Sequence, residues 1–142
     1  MQSIVVGTDG SPNAEAAVRK ATAIAKGTGA IVHLVCAYPD APNFGENIAS
    51  SARRDPVELR SVAESVLVRA ERAVEAQGVA VMTHAREGHP PNVILEVAQE
   101  ENADLIVVGA RGLTGIKRFL LGSVSSKLAH HATSSLMIVH DE

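Results

Sequence analysis

Asp104-Leu105-Ile106-Val107-Val108-Gly109-Ala110-Arg111-Gly112 is a run of four aliphatic residues closed by a glycine turn. Four consecutive apolar residues make a short strand with both faces buried, which is the pattern of a parallel sheet covered by helices rather than of a sheet with one wet face. Runs of the same kind occur at residues 4–6, 31–37, 80–85 and 136–139. Helical spacing fills each gap between them. Ser11-Pro12 reads as an N-cap followed by a first-turn proline, and Ala14, Ala17, Val18, Ala21, Ile24 and Ala25 then repeat along one face until Gly27 and Gly29 stop the helix. Asp55-Pro56 with Glu58 opens a second helix in the manner of a capping box, with Leu59, Val62, Ala63, Val66 and Leu67 as its apolar face. Pro90-Pro91-Asn92 opens a third carrying Val93, Ile94, Val97 and Ala98, and Gly122-Ser123 opens a fourth with Val124, Leu128 and Ala132 as its inner row.

The resulting order is βαβαβαβαβ. Crossovers between parallel strands are right-handed, so the expected fold is an α/β domain with one doubly wound, Rossmann-like parallel sheet of five strands, ordered 3-2-1-4-5, and four main helices. In that order the first and fourth strands are neighbours and the winding reverses between them. A ligand crevice is therefore expected beyond their C-terminal ends. One domain spanning 1–142 suits the length, and with 46% hydrophobic but only 2% aromatic residues the core must be aliphatic.

Two clusters point into that crevice. The fourth strand runs into Gly109-Ala110-Arg111-Gly112, and after residues 113–121 the chain enters the last helix through Gly122-Ser123-Val124-Ser125. Glycine lets another group approach the backbone closely, and the first amides of a helix have no internal partners, so the two segments together form an anion site. The hydroxyls of Ser123 and Ser125 are candidate further donors to a triphosphate. A helix terminus contributes only about 0.3–1 kcal/mol per charge, whereas micromolar affinity needs about −8 kcal/mol, so several contacts and burial of a base must act together. The second cluster is the end of the first strand, Gly7-Thr8-Asp9-Gly10-Ser11, where Thr8 and Asp9 are the candidate side chains. A carboxylate there accepts from a base amino group or a ribose hydroxyl and would repel phosphate, which places Asp9 at the nucleoside end. The same carboxylate could instead only cap the turn into the first helix.

Gly109-x2-Gly112-x9-Gly122-Ser123, preceded by Asp104–Val108 residues and paired with Val5-Val6-Gly7-Thr8-Asp9-Gly10-Ser11, resembles the ATP-binding branch of the universal stress protein family over essentially the whole chain. The resemblance implies the fold described above, ATP as ligand, a role in the stress response, and a homodimer paired through the last strand. By position it would set Asp9 against the adenosine part and the backbone near Cys36-Ala37 against the adenine. Gly109, Gly112, Gly122, Ser123, Val124 and Ser125 would hold ribose and phosphates.

Other chemistries find less support. Gly115 is followed by Ile116 where a Walker A motif needs its lysine, and no Rossmann glycine triplet follows the first strand. Arg111, Lys117 and Arg118 can reach phosphate oxygens from the glycine segment, Arg111 best of the three. No protein metal site is expected from the six histidines: His130-His131 are adjacent and cannot both face one ion from a helix, His33, His84 and His140 lie in strands, and His89 reads as loop. Magnesium is expected only with the nucleotide phosphates. Cys36, the single cysteine, reads as a buried inert thiol.

No serine stands in a nucleophile elbow and no catalytic base is evident, so the expected function is a regulatory nucleotide-binding protein rather than an enzyme, with hydrolysis at most slow. A slow ATPase or nucleotidyl-transferring enzyme and a nucleotide-independent interaction module are the alternatives. A formal net charge of −3 offers no general attraction to nucleic acid or anionic membrane. No apolar stretch approaches the roughly 20 residues that span a bilayer, and a cytoplasmic location is expected. Leu136-Met137-Ile138-Val139 is apolar yet falls at the sheet edge, which needs protection. The same strand of a second subunit would supply it. The long irregular stretch 38–54 reads as a mobile loop beside the crevice mouth.

Overall fold

A computed structural model of the protein describes residues 1–39, 55–112 and 122–141. Its elements run β1 (Ser3–Gly7), α1 (Pro12–Thr28), β2 (Ile31–Tyr38), α2 (Pro56–Glu75), β3 (Val81–Glu87), α3 (Pro90–Glu100), β4 (Leu105–Gly109), α4 (Ser123–His131) and β5 (Ser135–Val139). The strands form one parallel sheet in the order β3-β2-β1-β4-β5, as the sequence predicts. Alternation along each strand divides the core into two layers. Ile4, Val6, Val32, Leu34, Leu105 and Val107 face the alanine-rich side of α1 together with Ala63, Leu67 and Val74 of α2. Val5, Val35, Ile106 and Val108 face Val93, Ile94 and Val97 of α3 and Leu128 of α4.

Helix boundaries follow local chemistry. Ser11 caps α1 by accepting from the Ala14 amide at 3.3 Å, and Gly29, at φ 81°, ends it by donating to Ala25 O. Gly27 does not stop α1. It sits inside the last turn, because only the following left-handed position requires glycine. Asp55 caps α2 through the amide of Val57 at 2.8 Å, and Val62 lies outside the buried face that Leu59, Ala63, Val66 and Leu67 share. In α4 the inward residues are Ser125 and Leu128. Val124 and Ala132 are half-buried and pack with Leu128 against the α3-side layer, Ala132 from the extended C-cap position. Tyr38 is the buried last residue of β2, not part of a loop, and the Arg60 guanidinium donates to its hydroxyl at 2.7 Å. The remainder of the expected loop, 40–54, lies outside the described residues.

On the α3 side of the sheet, β2, β3 and the end of α3 bring three titratable groups together. His33, 3% exposed, places Nδ1 at 3.1 Å from Nε2 of His84, and its Nε2 is 3.8 Å from Oε1 of Glu101. Burial lowers the pKa of both histidines, and for His84 the neighbouring His33 and Arg86 push the same way, against the opposing pull of Glu101 and Glu100. Arg86 forms a bidentate pair with Glu100, at 2.8 and 2.6 Å.

Two outcomes follow from this packing. Ile106 is fully buried, so Ile106→Ala is expected to lose about 2–5 kcal/mol in urea unfolding with little change in the m-value. Because the folded-state pKa values of His33 and His84 lie below the ordinary 6.5, acid favours the unfolded chain, which binds protons more readily. Thermal stability is thus full above about pH 6.5 and falls as the pH drops through the lowered values. Melts between about pH 8 and pH 5 should show this loss, and His84→Gln should flatten it.

Candidate functional site

The winding reverses between β1 and β4, and both strands end at the same level. Thr8 follows β1 with its amide donating to Val35 O at 2.9 Å, and its buried hydroxyl accepts from the Gly10 amide at 3.2 Å. Gly10, at φ 83°, turns the chain toward α1 in a conformation that favours glycine. The Asp9 carboxylate accepts from the Ser11 amide through Oδ1 at 2.9 Å, so it does cap this turn. Its other oxygen faces across the crevice, where a Cβ placed on Gly112 would stand 2.7 Å from Oδ2. Glycine at 112 therefore gives the Asp9 side chain its room.

On the other wall, Gly109 closes β4 directly beneath the first turn of α1. A Cβ there would lie 2.7 Å from the backbone carbon and the Cβ of Asn13. Gly122 returns to the same place: its amide donates to Ala110 O at 2.7 Å, and a Cβ on it would be 3.3 Å from that oxygen. The chain enters α4 here, and the amides of Ser123, Val124 and Ser125 precede the first helical bond, from Ser126 N to Gly122 O. Segments distant in sequence thus form one cradle, with Asp9 on one wall and the amino end of α4 on the other.

A family model described as the universal stress protein family matches residues 1–140. The chain belongs to the universal stress protein family. Among its relatives, a universal stress protein of Methanocaldococcus jannaschii is 33% identical over 97% of this chain and 81% of its own length. One of Mycobacterium tuberculosis is 34% identical over 98% and 96%. Among solved structures, a universal stress protein in complex with cAMP matches with a TM-score of 0.77 at 30% identity, covering 99% of this chain and 98% of that one. The universal stress protein from Archaeoglobus fulgidus in complex with dAMP matches with a TM-score of 0.76 at 25% identity, covering 98% of both chains.

In this universal stress protein, most of the residues singled out in the sequence do meet at the crevice: Thr8, Asp9, Gly109, Arg111, Gly112, Gly122, Ser123 and Val124 all lie at the ends of β1 and β4 or at the start of α4. Ser125 corrects the expectation. It is 2% exposed and its hydroxyl donates to Gly109 O at 2.7 Å, with Ala110 O at 3.3 Å, so it clamps α4 to the end of β4 instead of offering its hydroxyl to a phosphate. Cys36 is buried at the end of β2, and burial together with the Asp9 carboxylate pushes its thiol up to about 11, which keeps it protonated and inert. Ala37 is half-buried on the opposite face. Lys117 and Arg118 lie outside the described residues. Asn13 was not anticipated. It packs over Gly109, and its Oδ1 accepts from the Asp141 amide at 3.3 Å. A polar residue four before Ala17 on the inward stripe of α1 was the available signal.

The two β4-turn glycines should respond differently to a methyl group. Gly109→Ala drives a Cβ into the Asn13 backbone, which cannot swing away, and is expected to cost about 1–3 kcal/mol in urea unfolding. Gly112→Ala meets only the end of the Asp9 side chain. It should cost less stability while displacing that carboxylate, so equal losses in the two variants would contradict the assignment of rigid and soft neighbours.

Proposed function

We propose that this protein binds an adenine nucleotide across the β1–β4 crevice, with ATP and its magnesium as the fullest occupant, and acts as a cytoplasmic regulatory protein of the stress response. The observation that carries the reading is the meeting of two unlike ends in one cradle. The Asp9 carboxylate, an acceptor for ribose hydroxyls or base amino groups, faces Gly112, while Gly122 and the first amides of α4 stand on the other side for anionic oxygens. A Cβ at Gly112 or Gly122 would intrude on this cradle, so the residues present suit a ligand that approaches the backbone closely. Gly109, Gly112, Gly122, Ser123 and Val124 would hold ribose and phosphates, Arg111 would add charge, and the backbone at Cys36-Ala37 would border the base. Ser125 would contribute its amide alone. Magnesium carried by the phosphates needs few protein ligands.

The relatives whose structures hold cAMP and dAMP support an adenine nucleotide as the ligand class. ATP is favoured over these because a single phosphate leaves part of the glycine segment unused. Dimerisation belongs to the same reading. β5 is an edge strand whose Leu136, Met137 and Ile138 are only half-buried within the chain, and pairing with the same strand of a second copy would complete their burial.

Calorimetric titration with ATP and magnesium should show binding near the micromolar range, and Gly122→Val should weaken it by at least about tenfold. The Gly122 backbone, φ −68° and ψ 167°, is open to valine, but the added Cβ would stand 3.3 Å from Ala110 O, so the variant's melting curve is measured beside its binding to separate loss of the site from loss of the fold. If no adenine nucleotide binds the wild type, the proposal fails. Sustained release of ADP, lost in the same variant, would make the site an ATPase instead. In analytical ultracentrifugation the protein should sediment as a dimer, and a monomer at micromolar concentration would overturn the pairing through β5.

A further inference from the structure

His33 and His84 stand 51 residues apart in the chain, on the neighbouring strands β2 and β3. Adjacent parallel strands bring their side chains to one face of the sheet, and the C-cap of α3 lowers Glu101 onto the same spot. One nitrogen of each imidazole and one carboxylate oxygen of Glu101 lie within 4.8 Å of one another. The His33 side chain is 4% exposed and that of Glu101 33%, so the cluster is closed on its inner side and open to water on the outer.

Two imidazole nitrogens facing each other at 3.1 Å can share one proton, or both can give lone pairs to one cation. With metal–nitrogen bonds of about 2.0–2.1 Å and tetrahedral angles, adjacent ligand atoms stand about 3.3 Å apart, close to the observed histidine pair. Glu101 now faces His33 Nε2, the ring nitrogen turned away from His84, at 3.8 Å, so its carboxylate must swing round to the shared side, and its partial exposure permits that. The surrounding charge also favours a cation. Arg86 is held by Glu100 and lies 4.0 Å from Glu96, which leaves the carboxylates of Glu96, Glu100 and Glu101 against one guanidinium.

We propose that His33, His84 and Glu101 form a site for a divalent transition metal of the zinc class, with three protein ligands and a fourth position open to water. Two imidazoles and a carboxylate are ligands that zinc, nickel and copper accept and that magnesium and calcium do not prefer. Burial lowers the pKa of both histidines, the direction that favours the neutral imidazole a metal requires. The ion would tie the edge strand β3 to β2 and to the end of α3. Binding to the folded chain alone would also raise its stability.

Zinc chloride titrated into chelator-treated full-length protein is expected to bind at one equivalent per chain and to raise the melting temperature, and cobalt(II) should show the visible absorption of a four-coordinate site. His84→Ala should weaken zinc binding by at least about tenfold, the loss that even an outer-shell partner can produce. Glu101→Gln, at a partly exposed helix end, should weaken binding by a smaller factor with the apo melting curve unchanged, which guards against misfolding as the cause. The surface variant His130→Ala/His131→Ala should bind as the wild type does. Equal zinc affinity in the wild type, His84→Ala and Glu101→Gln would overturn the proposal, leaving the pair as a hydrogen bond that closes the sheet edge. So would loss confined to the His130/His131 variant.

Discussion

The pairing of β1 with β4 is the constraint on which the rest of the molecule depends. Ile4, Val5 and Val6 lie against Leu105, Ile106 and Val107 in parallel register, and all six are buried. Each such side chain contributes about 1.5–3 kcal/mol by leaving water, so this central contact is among the most strongly favoured in the chain. It also sets the topology. Because β1 has β2 on its other side and β4 has β5, the winding must reverse at this seam.

The residues that leave the seam are shaped by crowding rather than by flexibility. Gly109 allows the first turn of α1 to rest on the end of β4, Gly112 leaves room for the Asp9 carboxylate, and Gly122 lets the entry to α4 touch Ala110. Ser125 then locks this arrangement from inside by donating to Gly109. The same close packing that seats α1 and α4 on the sheet thus lines the crevice with backbone amides and one carboxylate. The packing of α1 and α4 and the walls of the crevice share their atoms here, so substitutions at these glycines fall on both.

The sheet handles its two edges differently. β3 is half-buried to exposed along its length, with Met82 51% accessible, and the polar cluster of His33, His84, Glu101 and Arg86 with Glu100 ties it to β2 and α3. Burying two imidazoles is costly unless they are partnered, and the 3.1 Å hydrogen bond between them supplies that partner. β5 instead is an apolar edge strand whose Leu136, Met137 and Ile138 are half-buried within the chain.

Periodicity alone was enough for the number, type and order of the elements, since runs of buried aliphatic residues, proline and serine at helix starts and glycine at helix ends are local signals that right-handed crossovers join into one topology. The glycine spacing likewise marked where the crevice lies, because only glycine permits such approach to backbone. What required the folded chain was direction and company. Nothing local says that Gly27 continues a helix while Gly29 ends it, that the Ser125 hydroxyl turns inward, or that Asn13 covers Gly109. His33 and His84 look like unrelated strand residues in the sequence. Their contact depends on the register of β2 against β3, and that register is fixed by the packing of whole layers rather than by either strand alone.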